Sequence, residues 1–152
     1  MGLNKRLIGA GAVGSGALTP SENFKVVTYT GTGAANSITG VGFKPDLLWI
    51  KHRDGTSSHS WTDSTRGNNL VLQSNEQSAE ASGQITLDSD GFTIGNDNAL
   101  RNTNGETYVA WCWKVNGGTT TSGTGTGGTS SVTHQLNSDA GFCITKFVSN
   151  NN

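Results

Sequence analysis

The feature that most narrows the fold is a run of short apolar segments between Phe24 and Val115, each closed by a turn signal. "FKVVTYTG", "DLLWIKHR", "NLVLQS", "GQITLD", "GFTIG" and "GETYVAWCWK" read as strands, with "SHSWTDS" as a shorter and more polar one. Asp54-Gly55, Asp90-Gly91 and Asn104-Gly105 are turn pairs, because glycine enters the left-handed backbone region and Asp or Asn side chains bond nearby backbone N–H groups. No segment repeats its apolar residues at helical spacing, and "SNEQSAEAS" is short and polar, which suits a loop or single turn. About seven short strands without helices predict an all-β protein, an antiparallel β-sandwich of jelly-roll type.

Composition agrees and removes several function classes. Charged residues make up 14% of the chain, against roughly 25% in an average soluble domain. Glycine, at 22 residues, favours turns over helices. A net charge of -1 offers no basic surface for nucleic acid or for an anionic membrane. No stretch approaches the ~20 apolar residues of a membrane helix, so no membrane insertion is expected. Cys112 and Cys143 are expected to be free thiols, one in a strand and one beyond a linker.

The chain divides into four zones. Residues 1–23 form an extended arm closed by Pro20. Lys5 and Arg6 followed by a mildly apolar run resemble a weak signal peptide, but Gly9, Gly11, Gly14 and Gly16 interrupt the run. Arg6 also stands where a myristoylation motif wants Ser or Thr. Such a segment buries too little surface to order by itself. It is expected to order along another protein, through Leu3, Lys5, Arg6 and Leu7, with the two leucines as apolar anchors. Residues 24–115 form the sandwich. Residues 116–131, "NGGTTTSGTGTGGTSS", read as a flexible linker. Residues 132–152 read as the start of a second, incomplete repeat or a C-terminal tail. Phe142, Ile144 and Phe147 fall where Phe24, Val26 and Tyr29 fall in the first strand, so the pattern predicts a chain that continues into a second copy.

Catalytic and metal readings find little support. "HRDGTSSHSWTDS" holds Ser, His and Asp together, but without a nucleophile elbow, and Ser is common throughout the chain. The acidic residues of the sandwich occur mostly in turns, not as the converging pair a glycosidase needs. His52 and His59 flank a turn without a cysteine, and "DSDGFTIGNDN" lacks the EF-hand spacing, so no catalytic residue, metal or other cofactor is assigned. A glycan site is better supplied. His59, Trp61, Asp63 and Arg66 place an aromatic ring among hydrogen-bonding groups. The competing reading makes Trp61 the core anchor of a polar edge strand.

In "GETYVAWCWK", alternation puts Thr107, Val109, Trp111, Trp113 and Val115 on one face and Tyr108, Ala110, Cys112 and Lys114 on the other. The first face is the more apolar and is expected to be core, worth roughly 1.5–3 kcal/mol per large side chain. Ala110 and Cys112 let a layer approach the second face, so a central strand covered on both faces is expected.

Together, "GVGFKPDLLWIKHRDGTSSHSWTDSTRG", "LDSDGFTIGNDN" and "NGETYVAWCWK" resemble a repeated β-sandwich module of tailed-bacteriophage virion proteins. The likeness is carried by Gly42, Phe43, Pro45, Asp46, Trp49, Lys51 and Arg53, by "DSTRG" with its inserted Thr, by "DGF" and by "YVAWCWK", and it covers about residues 24–117. It implies a concanavalin-like sandwich and a non-enzymatic virion component: a tail fibre, an appendage or a surface decoration. It implies other virion proteins as partners of the arm and a homo-oligomer, most often a trimer. By analogy of fold it also implies recognition of a host surface glycan.

Overall fold

The computed structural model describes residues 19–95, 99–125 and 129–149. Leu3, Lys5, Arg6 and Leu7 lie outside the described residues. The chain is an all-β sandwich, as its strand pattern predicts. A single 3₁₀ turn, Pro20–Glu22, leads into β1 (Phe24–Thr30). The larger sheet has six antiparallel strands in the order β1, β9 (Thr107–Trp113), β3 (Leu47–His52), β4 (Ser60–Asp63), β5 (Leu70–Leu72) and β6 (Ala81–Ser82). Strands β3 to β6 meander, whereas β9 returns late in the chain to fill the gap between β1 and β3. A second sheet has the order β2 (Asn36–Ile38), β8 (Gly91–Ile94) and β7 (Ile85–Asp88).

The core lies between these two sheets. Leu48 and Ile50 of β3, Val71 of β5 and Tyr108, Ala110 and Cys112 of β9 face Ile38, Ile85, Leu87, Phe92 and Ile94. Tyr29 stacks on Tyr108 at 5.2 Å between ring centroids and meets Phe92 edge-on at 5.8 Å. Burial pushes the Cys112 thiol up to about 12, so it behaves as a small apolar side chain. Both cysteines are free, Cys112 buried and Cys143 exposed.

Strand β9 is central and has the expected layer over Ala110 and Cys112, but its tryptophan face is not the core face that was expected. Its core face carries Tyr108, Ala110 and Cys112, and its tryptophan face is only half-buried. The reason appears once the strands are paired. On the tryptophan face, Val109 sits opposite Lys51 of β3, and Leu47 sits opposite Asp63 of β4. Charges therefore enter that face from the neighbouring strands. The opposite face collects Leu48, Ile50, Ala110 and Cys112 in register, and its small side chains let the second sheet approach. Strand β4 is interior, between β3 and β5, not an edge.

Turn chemistry fixes the β2–β3 connection. The Asp90 carboxylate accepts the backbone N–H groups of Gly40 (3.0 Å) and Gly42 (2.6 Å). Gly91 beside it has φ 150°, and a Cβ there would lie 2.0 Å from the Ile38 carbonyl oxygen.

The stretch expected to be a linker contributes β10 (Thr121–Gly123) and the first residues of β11 (Thr129–Asn137). With β12 (Phe142–Ser149) these form a third antiparallel sheet, in the order β10, β11, β12. Gln135 fastens it to the sandwich. Its buried Nε2 donates to the hydroxyls of Ser64 and Thr65, both at 2.8 Å, and its Oε1 accepts Gly118 N–H at 2.9 Å. Asp46 closes the same junction by accepting Val115 N–H (2.7 Å), Gly117 N–H (2.9 Å) and the Ser64 hydroxyl (2.7 Å).

Candidate functional site

The outer face of the larger sheet carries a row of aligned side chains. Val26, Trp111, Trp49, Trp61 and Leu72 are direct cross-strand neighbours across β1, β9, β3, β4 and β5. Trp49 is the middle ring, 5.3 Å from Trp111 and 5.4 Å from Trp61 between centroids, with interplanar angles of 44°. All three indoles are half-buried. A second row runs Phe24, Trp113, Leu47, Asp63. Trp113 packs on Phe24 at 5.0 Å and stacks on Phe142 of β12 at 5.9 Å.

Strand β12 does not cover this face completely. A groove of about 540 Å³ remains between it and the sheet, with Trp49, Trp61 and Leu72 on one wall and Phe142 and Ile144 on the other. Asp63, Arg66 and Lys146 add charge to its lining.

Three of the residues predicted from sequence, Trp61, Asp63 and Arg66, line this one groove. His59 stands beside Trp49 at 5.5 Å between rings. The Trp49 indole N–H donates to His59 Nδ1 at 2.9 Å. An indole N–H can only donate, so Nδ1 is the acceptor and a neutral His59 carries its proton on Nε2. This bond satisfies the polar end of Trp49 and fixes the ring.

Asp63 and Arg66 are turned mainly toward the protein. Asp63 Oδ1 accepts the N–H groups of Thr65 (3.0 Å) and Arg66 (2.8 Å), and Oδ2 accepts Arg66 Nε at 2.6 Å. Arg66 also donates to Glu80 at 3.0 Å and to the Trp61 carbonyl at 3.2 Å. These bonds brace the end of β4 and hold Trp61 in place, so the sheet wall of the groove is largely aromatic and aliphatic. Trp49, Trp111, Phe142 and Ile144 did not emerge from the sequence as site residues. The signal that finds them is strand register, which puts Trp49, Trp61 and Trp111 opposite one another.

Elsewhere, His52, Asp54 and Glu106 bring their ligand atoms within 4.8 Å. His52 Nε2 bonds Glu106 at 3.1 Å, and Asp54 Oδ2 accepts the N–H (2.7 Å) and hydroxyl (2.6 Å) of Thr107. Those hydrogen bonds hold the Asp54 carboxyl below its ordinary value. Protein partners occupy these atoms, and the cluster is read as a structural tie between the β3 end and β9.

No curated protein and no solved structure matches the chain. A family model described as a domain of unknown function matches residues 19–152, which takes in the two packed sheets and the β10–β12 sheet alike. By that match the chain belongs to the DUF7483 family.

Proposed function

We propose that this chain is a non-enzymatic bacteriophage virion module, of tail-fibre, appendage or decoration type, that presents a tryptophan-lined groove to a host surface glycan. The virion setting rests on the resemblance of residues 24–117. The observation that carries the glycan reading is the half-buried Trp111–Trp49–Trp61 row beside an open groove. Indoles offer broad apolar faces against which the C–H face of a sugar ring can pack, while keeping a polar edge satisfied. The groove volume lies within the ~300–1,000 Å³ of ordinary ligand sites. In this reading Trp61 and Trp49 contact the sugar, and His59, Asp63 and Arg66 orient them.

A glycan array probed with the 152-residue chain tests the recognition step. Binding to a restricted set of surface glycans, lost in Trp61→Ala with the circular dichroism spectrum unchanged, is the expected result. An array with no bound glycan, or one unaffected by Trp61→Ala, rejects it and leaves a purely structural module. The virion part has a separate test. Deleting residues 1–20 should abolish incorporation into particles while the sandwich still folds, and normal incorporation of the truncated chain would refute arm-mediated docking.

A further inference from the structure

Away from the tryptophan face, Arg101 sits at 4% exposure. Its Nη1 donates to the Ser60 hydroxyl at 3.3 Å and its Nη2 to the Gly83 carbonyl at 2.9 Å. Its Nε is buried without a partner. Among the described residues no carboxylate pairs with this guanidinium. Tyr29 cannot supply the missing charge. Its hydroxyl donates to the Arg101 carbonyl, and burial raises its pKa well above the ordinary value, which keeps it neutral. Arginine remains protonated in proteins, so this is a buried cation whose partners among the described residues are all neutral.

Arg101 lines a cavity of about 130 Å³, shared with Gln73, Ser82, Val71, Ala81 and Leu100. Ser82 is exposed, so the cavity reaches the surface. Ser82 Oγ accepts Asn69 Nδ2 at 3.0 Å, which leaves its own O–H to donate. The space equals roughly four waters at ~30 Å³ each, the size of a single oxyanion group and too small for a sugar ring. Arg101, Ser82 and Gln73 bring a cationic side chain, a hydroxyl and a carboxamide to the lining of this space, residue types that can form a donor set for an anion.

We propose that this cavity is a small-oxyanion site, with Arg101 as the charged anchor and Ser82 and Gln73 as neutral donors. Its ligand is a phosphate, a sulfate or a carboxylate group. The site is independent of the glycan groove.

Side-chain NMR of the arginine Nε–Hε groups in the full chain reads this directly. Inorganic phosphate and acetate are titrated separately, each against sodium chloride at matched ionic strength. The expected result is a saturable shift of the Arg101 signal with at least one of them and none with chloride. Phosphate alone marks a mineral-oxyanion site, and acetate marks a carboxylate site. Ser82→Ala, an exposed change, should weaken the titrating anion several-fold. An Arg101 signal unmoved by both anions, moved equally by chloride, or titrating unchanged in Ser82→Ala would overturn the proposal.

Discussion

At the scale of single residues, small side chains and one carboxylate do much of the positioning. Ala110 lies in the core with no exposed surface, where the second sheet closes over β9. Ala110→Leu should destabilise by about 1–3 kcal/mol through overpacking, measured by denaturant unfolding. Phe92→Ala, in the same core, should cost about 3–5 kcal/mol. Trp111→Ala should cost clearly less than Phe92→Ala, because the indole is half-exposed; the opposite order would mean the faces are assigned wrongly. Asp90 gives a pH signature. The Gly40 and Gly42 N–H groups favour its ionised form and hold its carboxyl below the ordinary value. A carboxyl depressed on folding contributes stability that is complete above its unfolded pKa of ~4 and is lost as pH falls toward the folded value. Asp90→Asn should therefore flatten the acid limb of a melting-temperature profile below about pH 4 and leave the dependence near neutrality unchanged. An unaltered acid limb would show that these bonds do not form. The turn role of Asp90-Gly91 was legible in the sequence as a residue pair. Its partners, some fifty residues earlier, were not, because only the packing of β8 on β2 brings them together.

At the scale of elements, β1, β3, β4, β5, β7, β8 and β9 were readable as strands, whereas β2, β6 (within the loop expected at "SNEQSAEAS"), β10 and β11 were not, and neither was strand facing. Alternation correctly separated Trp111 and Trp113 from Tyr108, Ala110 and Cys112. It could not say which set faces the core, because that choice belongs to the sheet: Lys51 and Asp63 arrive on the tryptophan face from other strands. Trp61 was found from its polar neighbours in sequence, whereas Trp49 sits in an apolar segment and looks like core until pairing places it beside Trp61. The segment after β9 carried a different difficulty. Its Gly, Thr and Ser composition signals a linker, yet β11 reaches a buried anchor in Gln135. Gln135→Ala removes three hydrogen bonds and leaves their partners short of water, which should cost about 1–3 kcal/mol. Hydrogen exchange should then accelerate across β10–β12 and stay slow in β3, β8 and β9. Uniform acceleration throughout would make the third sheet part of one cooperative unit instead of a docked one.

At the scale of the whole molecule, the two faces of the six-stranded sheet have separate tasks. One closes the core against β2, β7 and β8. The other carries the tryptophan row and, with β12, encloses the groove. Thiol chemistry distinguishes them: Cys143 should react with a maleimide in the native protein, and Cys112, buried with its thiol held at about 12, only on unfolding. Rapid native labelling of both would argue against the buried core face. The proposed function requires the opposite face to meet the ligand. The most direct measurement follows the four indole N–H signals of the labelled chain during titration with glycans retained on an array. The account predicts saturable shifts at Trp49 and Trp61, with smaller changes at Trp111 and Trp113. Shifts absent from Trp49 and Trp61, or no glycan that produces any shift, would contradict it.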